Sequence, residues 1–446
     1  MKKAIIAVLA LALGISGSIV LLGACGGGGS GGSAAGPIVL VSQNTAGIAG
    51  SDDSESAGVS YDGRYVVFYS YAPNLVADDT SGDYDVFLRD VQDGITSRES
   101  VSSAGTQANN ASFTYSPAIS DDGRYIAFET ESTNLFADTN GNTYDIVLRD
   151  TQDLITALAS KSSSGTQGNN GSYYPAISGN GRYVAFQSDA DNLVMDDTNN
   201  NRDIFLYDSQ ALLTTRVSLG VAGTQANDGS YEPSISSDGR YVAFQSNATN
   251  LVAGDTNGQF DVFVRDNQTN ITSLVSVSTA GSQANGHCDP PAISGNGRYV
   301  AFPSDADNLV ANDTNGTYDI FVRDIVMNET TRVSVSSTGT QANFGSYSPS
   351  ISADGRFVAF ESRADSLVSG DSNGDSDIFV HDRETNITAR VSVSEAGTEV
   401  SGDSYLPYIS GDGRYVVFDS NAANLVSTPA DLGPPGTRHI YRAPVK

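Results

Sequence analysis

Apolar residues along this chain come in short runs of four to six, and the runs are bounded by Asn, Asp and Gly. Around Gly239 the runs are Pro233-Ser234-Ile235-Ser236, Tyr241-Val242-Ala243-Phe244-Gln245, Asp261-Val262-Phe263-Val264-Arg265 and Ser273-Leu274-Val275-Ser276-Val277-Ser278. Runs rich in Val, Ile, Phe and Tyr between turn residues predict β-strands. No helical periodicity long enough to compete follows residue 36. The second and third runs are nearly all apolar, as strands covered on both faces must be. The hairpin segment Asp62-Gly63-Arg64-Tyr65-Val66-Val67-Phe68 recurs with its glycine at 63, 123, 181, 239, 297, 355 and 413, a spacing of 60 and then of 58 five times. Seven four-stranded units at a fixed period predict an all-β, seven-bladed β-propeller. The ends are complementary: Ile38–Ser42 aligns with a fourth strand, and the last unit stops after Arg438–Arg442, which aligns with a third. The N-terminal strand is therefore expected to complete the last blade and leave no free edge.

The segment Ile235-Ser236-Ser237-Asp238-Gly239-Arg240-Tyr241-Val242-Ala243-Phe244 resembles the WD40-like repeats of the TolB-type propeller group. The resemblance covers residues 37–446. It implies the fold and leaves the function open. The chain departs from TolB in lacking a separate N-terminal domain and in having seven units rather than six.

The first 36 residues read differently. Lys2 and Lys3 precede an apolar run from Ala4 to Leu22, the pattern of a signal peptide. Leu22-Gly23-Ala24-Cys25 resembles the lipobox of bacterial lipoproteins, which implies a signal peptide over 1–24 and a lipid on Cys25; the alternative is an uncleaved anchor. Gly26 stands where Asp would retain such a protein at the inner membrane, so the resemblance implies a lipid-anchored envelope protein at the outer membrane. Residues 25–36 form a Gly/Ser tether reaching roughly 17–20 Å, and 37–446 form the propeller.

Of 446 residues, 24 are Lys or Arg and 52 are Asp or Glu, a net charge of −28. Loss of Lys2 and Lys3 with the signal makes it −30 (22 against 52). Such a body lacks the basic clusters a nucleic acid needs and is repelled by an anionic membrane, so lipid has to anchor it. Two cysteines exclude a disulfide scaffold. The absence of Trp weakens any sugar-stacking proposal, and with His287, His381 and His439 in no shared motif general-base chemistry lacks an obvious agent, so no enzyme activity is expected.

Between the second and third strands six units carry an acidic loop. The candidate ligands are Asp79, Ser81 and Asp85; Asp138, Asn140 and Asp145; Asp197, Asn199 and Asp203; Asp255, Asn257 and Asp261; Asp313, Asn315 and Asp319; and Asp371, Asn373 and Asp377. Hard oxygen donors at positions 1, 3 and 7 of a flexible loop (8 in the loop from Asp138) suit Ca²⁺ better than Mg²⁺. Six dications add twelve charges and bring −30 to −18, relieving self-repulsion. The alternative is an Asx-type turn with Asp and Asn capping backbone amides.

Other recurring residues have bland readings. Arg64, Arg124, Arg182, Arg240, Arg298, Arg356 and Arg414 suit ion pairs with acids such as Asp266 and Asp324. Tyr174, Tyr231, Tyr347 and Tyr405 form either a binding rim or packing for the interblade connections. The deviations are His287-Cys288-Asp289, the Pro-rich loop 427–436, and Asp52-Asp53-Ser54-Glu55 beside it across the closure. Together these features predict a calcium-supported interaction scaffold for envelope or surface proteins. The alternatives are self-assembly into a surface layer and, ranked below it, a propeller enzyme or small-ligand binder.

Overall fold

The computed structural model describes residues 37–112, 117–141, 143–427 and 432–445. They form seven four-stranded antiparallel sheets, six of them paired in chain order. Blade 1 consists of Ser54–Val59, Tyr65–Ser70, Asp85–Asp90 and Ile95–Arg98. Blades 2 to 6 begin at Ala118, Ser172, Ser230, Ala292 and Ser346. Blade 7 is built from Ser404–Ile409, Tyr415–Ser420 and His439–Pro444, with Val39–Leu40 as its outer strand.

That closure is the one the chain ends predict. Val39 pairs with Arg442 and Leu40 with Tyr441. Beyond the ladder, the Val41 N–H reaches the Ile440 carbonyl at 2.8 Å, and the Ile440 N–H reaches Ser42 Oγ at 3.0 Å. Strand bounds differ from expectation at two places. The first strand of blade 4 starts earlier, at Ser230, because a β-bulge lets Tyr231 pair with Gln245 before the register shifts. The fourth strand ends at Leu274, and Val275–Ser278 turn inward to tie the next connection down through the bridge Val277 to Gln283.

The core lies between blades. In each sheet the fourth residue of the second strand opposes an aromatic or aliphatic residue on the third, as Phe244 stacks on Phe263 with centroids 5.9 Å apart. Phe244 and Phe263 then pack against Ala185, Ile204, Leu206 and Val217 of blade 3. Both faces are buried, which is why the apolar runs show no alternation.

The repeated arginines are structural. Arg240 holds Asp266 bidentately at 2.9 and 2.7 Å and lies over the Tyr241 ring. The same pair recurs at Arg64–Asp90, Arg124–Asp150, Arg182–Asp208, Arg298–Asp324 and Arg356–Asp382. Blade 7 departs because Pro444, not Asp, stands opposite Tyr415, and Arg414 turns to Asp412.

Candidate binding site on the propeller axis

The hairpins joining first and second strands meet at one end of the axis. There a ring of backbone hydrogen bonds links all seven blades. Tyr61 donates to Asp121, Asp121 to Gly179, Gly179 to Ser237 and Ser237 to Gly295, at 2.9–3.0 Å. The ring continues from Asn296 to Ala353, from Ala353 to Gly411 and from Asp412 back to Tyr61, each at 2.9 Å. Side chains crowd what opening remains. A Cβ at Gly179 would lie 2.1 Å from Asp121 Oδ2, and one at Gly411 would lie 2.3 Å from the Tyr61 ring. This end of the axis is a floor.

The opposite end is a cavity of about 720 Å³ lined by the first strands of all seven blades. Its wall is shaped by the β-bulges at Ser56, Tyr174, Glu232, Ser348 and Leu406, each at positive φ. A bulge leaves one N–H outside the ladder. Three of these are taken by the neighbouring blade: Tyr174 N–H by Glu129 Oε1 at 2.5 Å, Glu232 N–H by Gln187 Oε1 at 2.7 Å and Leu406 N–H by Glu361 Oε2 at 3.0 Å. The acceptors share one sequence position, the fifth of the second strand. Pro303 at that position in blade 5 has no side-chain acceptor, and in blade 7 it is Asp419, one methylene shorter. Asp419 is fully buried; among the described residues neither carboxylate oxygen has a hydrogen bond, and Arg438 Nη1 stands 3.8 Å away.

Burial dominates the electrostatics here. It pushes Glu129 up to about 8, with the Tyr174 N–H opposing it. It raises Asp419 to about 8 against the pull of Arg438. Glu232 is raised to about 7 by burial and then by the Asp289 carboxylate. Burial also raises Asp289 and Glu361. This group escaped the sequence reading because the invariant Phe before it and the Ser or Thr after it drew attention to the strand. The signal was there: between those fixed neighbours the position reads Tyr, Glu, Gln, Gln, Pro, Glu, Asp around the ring.

The six acidic loops lie on the same face as this cavity, since an antiparallel blade places its second turn and its interblade connection at one end. The structure does bring the expected residues together, and other side chains join them. In blade 1, Gln107 Nε2 donates to both Asp79 and Asp85 at 2.9 Å, with Ser81 Oγ 3.1 Å from Asp85. Arg98 Nη1 sits 3.3 Å from Asp79. Arginine takes the same place at Arg216 between Asp197 and Asp203 (3.0 and 2.9 Å), at Arg332 between Asp313 and Asp319 (3.3 and 3.4 Å), and at Arg390 between Asp371 and Asp377 (3.2 and 2.9 Å). The Asn amides turn hydrogens inward: Asn199, Asn257 and Asn315 donate Nδ2 to Asp203, Asp261 and Asp319, while Asn373 donates to the Val400 carbonyl.

Blades 2 and 4 differ. Leu158 and Leu274 replace the arginine, leaving Asp138 with Asp145 and Asp255 with Asp261 bridged by Gln167 and Gln283 alone, at 2.7–2.9 Å. Burial raises Asp145 to about 6. Among the described residues no cluster of three or more His, Cys, Asp or Glu is set to hold a metal ion.

The remaining candidates separate. Cys288 is buried against Ser304 Oγ at 3.4 Å, and its neighbour His287 stacks on Phe260, so the tripeptide does not converge. Tyr231 packs edge-on against Phe260, and Tyr405 lies beneath Arg438. Tyr174 and Tyr347 line the cavity. Cys25, the signal segment and the tether fall outside the described residues, as do 428–431 of the Pro-rich loop.

No family model matches the chain, and no curated protein does. Solved structures match it as a β-propeller. Oligogalacturonate lyase from Vibrio parahaemolyticus is 12% identical over 91% of both chains, with a TM-score of 0.50. A second oligogalacturonate lyase, in complex with manganese, is 10% identical over 93% of this chain and 94% of its own, also at 0.50. TolB from Acinetobacter baumannii is among the neighbours at 16% identity, covering 86% of this chain and 81% of its own, with a TM-score of 0.40. These likenesses are to a shared ring, not to a shared site. They do correct one expectation. The scattered histidines and missing Trp argue against an enzyme, but rings of this shape that match over more than nine-tenths of their own length are oligogalacturonate lyases, so composition is no ground for expecting no activity.

Proposed function

We propose that this chain is an envelope-anchored binding propeller, held by lipid on Cys25 and the tether 25–36, which receives an envelope or surface protein at the open end of its axis. One observation carries the reading: the axis is laced shut by backbone hydrogen bonds at one end and opens into a cavity lined by every blade at the other. Loops on a rigid scaffold beside such a cavity are where recognition residues collect. Cross-linking in cells followed by co-purification of the tagged lipoprotein, with calcium kept throughout, tests it. A specific partner lost on Tyr347→Ala or on replacement of 427–436 supports the reading. Recovery of self-linked chains alone moves it to surface assembly. Incubation with oligogalacturonate, followed by ultraviolet absorbance of an unsaturated product, tests whether lyase chemistry accompanies the ring.

Calcium enters this proposal at two loops, not six. Where arginine already stands between the carboxylates, a cation's place is taken. Asp138–Asn140–Asp145 and Asp255–Asn257–Asp261 lack it, and Asn140 Oδ1 is buried with no hydrogen-bond partner among the described residues. Melts of the full chain in calcium and in EDTA test this, and superimposable curves would remove calcium from the account.

A further inference from the structure

We propose that the axial cavity is a site for an organic cation, a ligand with ammonium or guanidinium groups on an aliphatic stem. The inference rests on the reading that the open axial end is the binding face, and it names what that face takes.

The first argument is charge. Glu232, Asp289 and Glu361 line the cavity, and among the described residues no Lys or Arg does. Behind the wall, Asp419 and Glu129 are fully buried and, raised to about 8, add acceptors rather than charge at neutral pH; among the described residues neither Asp419 oxygen nor Glu129 Oε2 has a hydrogen bond. Arg363 and Arg438 act on Glu361 and Asp419 from outside the lining. The net charge of −28 concentrates cations at such a mouth.

The second argument is independent of charge and counts donors. Eight lining residues are prolines, which have no N–H to offer. The bulge N–H groups of Tyr174, Glu232 and Leu406 are already given to Glu129, Gln187 and Glu361. The Ile293 N–H goes to Ser234 Oγ at 3.0 Å. The backbone of the wall therefore offers few amide donors; Ser and Tyr hydroxyls and the bulges at Ser56 and Ser348 supply the rest, and a ligand that brings donors of its own complements the carbonyl and carboxylate acceptors. An ammonium carries three and a guanidinium five.

The shape agrees. A cavity of about 720 Å³ is of ordinary small-ligand size. Ile119, Ile177, Ile235, Ile293 and Ile351 give it an apolar belt for a methylene stem, and Tyr174 and Tyr408 supply ring faces that attract cations. The floor ring makes it a pit, so a ligand enters and leaves by the acidic mouth.

The test is isothermal titration calorimetry of the full chain in detergent, with spermidine and agmatine as probes, a diol of similar length as the neutral arm and trigalacturonate as the anionic arm. Saturable binding of an amine near one per chain is expected, with no heat from the diol or the anion. The double variant Glu232→Gln, Glu361→Gln should weaken the amine at least tenfold. Asp93→Asn, an exposed acid at the closed end, should leave it unchanged. Should the double variant misfold, Tyr408→Leu gives a second reading through loss of the ring face. No saturable heat, or amine binding at many per chain that the variants do not alter, overturns the proposal, the latter being counterion condensation on an acidic surface. A captured protein partner without amine binding sinks this inference alone, and amine binding without a partner sinks only the docking reading.

Discussion

Glu129 accepts the Tyr174 N–H at 2.5 Å across the seam between blades 2 and 3, although Glu129 is fully buried. A glutamine does the same work one blade on, where Gln187 accepts the Glu232 N–H at 2.7 Å. The contact needs an acceptor and not a charge, so the carboxyl at position 129 carries an ionisation cost that its neighbour avoids. Burial raises it from 4.5 to about 8. The folded state then binds more protons than the unfolded one between these values, and stability falls as pH rises from about 4.5 to about 8. Glu129→Gln is expected to raise Tm at pH 8.5 and to change it little at pH 5. Melts at the two pH values check this.

Asp419 extends the same argument to the closure. Its pKa is raised from 3.8 to about 8, and no donor among the described residues holds either oxygen. Asp419→Asn should flatten the remaining fall in stability across that window. Chemical denaturation of the single and double variants from pH 4 to pH 9 measures it. A wild-type stability that climbs over this range would contradict both assignments.

The floor of the axis should be intolerant of bulk. Gly179→Ala places a methyl 2.1 Å from Asp121 Oδ2 and 2.9 Å from Ser237 Cβ. Overpacking of this kind costs about 1–3 kcal/mol. The loss should shrink in an Asp121→Ala background, because the clash is chiefly with that side chain. A double-mutant cycle in urea reads the coupling.

Removing Arg332 tests whether the loop arginines stand in for a cation. Arg332→Leu makes blade 5 resemble blades 2 and 4 and strips the counter-charge from Asp313 and Asp319, whose side chains are 5% and 0% exposed. Breaking a buried pair from one side costs about 3–5 kcal/mol. Millimolar calcium should restore part of the loss in this variant and little of anything in a chain that also carries Asp313→Asn. Equilibrium unfolding with and without the metal decides it.

Deleting residues 37–42 should open the ring. Ile38, Leu40 and Val41 are buried at the closure, each worth about 2 kcal/mol on burial, and their loss exposes the His439–Pro444 strand as an edge. The shortened chain is expected to aggregate on size-exclusion chromatography while the full chain does not.

The fold was legible because it is repetitive. Gly239 and its six counterparts gave the period, and Ile38–Ser42 matched the strand that the last unit lacks, so local pattern alone implied seven blades and their closure. The acidic loops were legible as clusters too. What they do was not, since Arg332 lies 13 residues beyond Asp319 in sequence and only pairing of the third and fourth strands sets it against the carboxylates. The axial site was hidden for the same reason in stronger form. Glu129 meets Tyr174 across 45 residues, and Asp121 bonds Gly179 across 58. Strand propensity is a property of neighbours in sequence and survives reading in one dimension. A cavity lined by the first strand of every blade, and the burial that sets its carboxyls' protonation, exist only once seven distant segments converge on an axis.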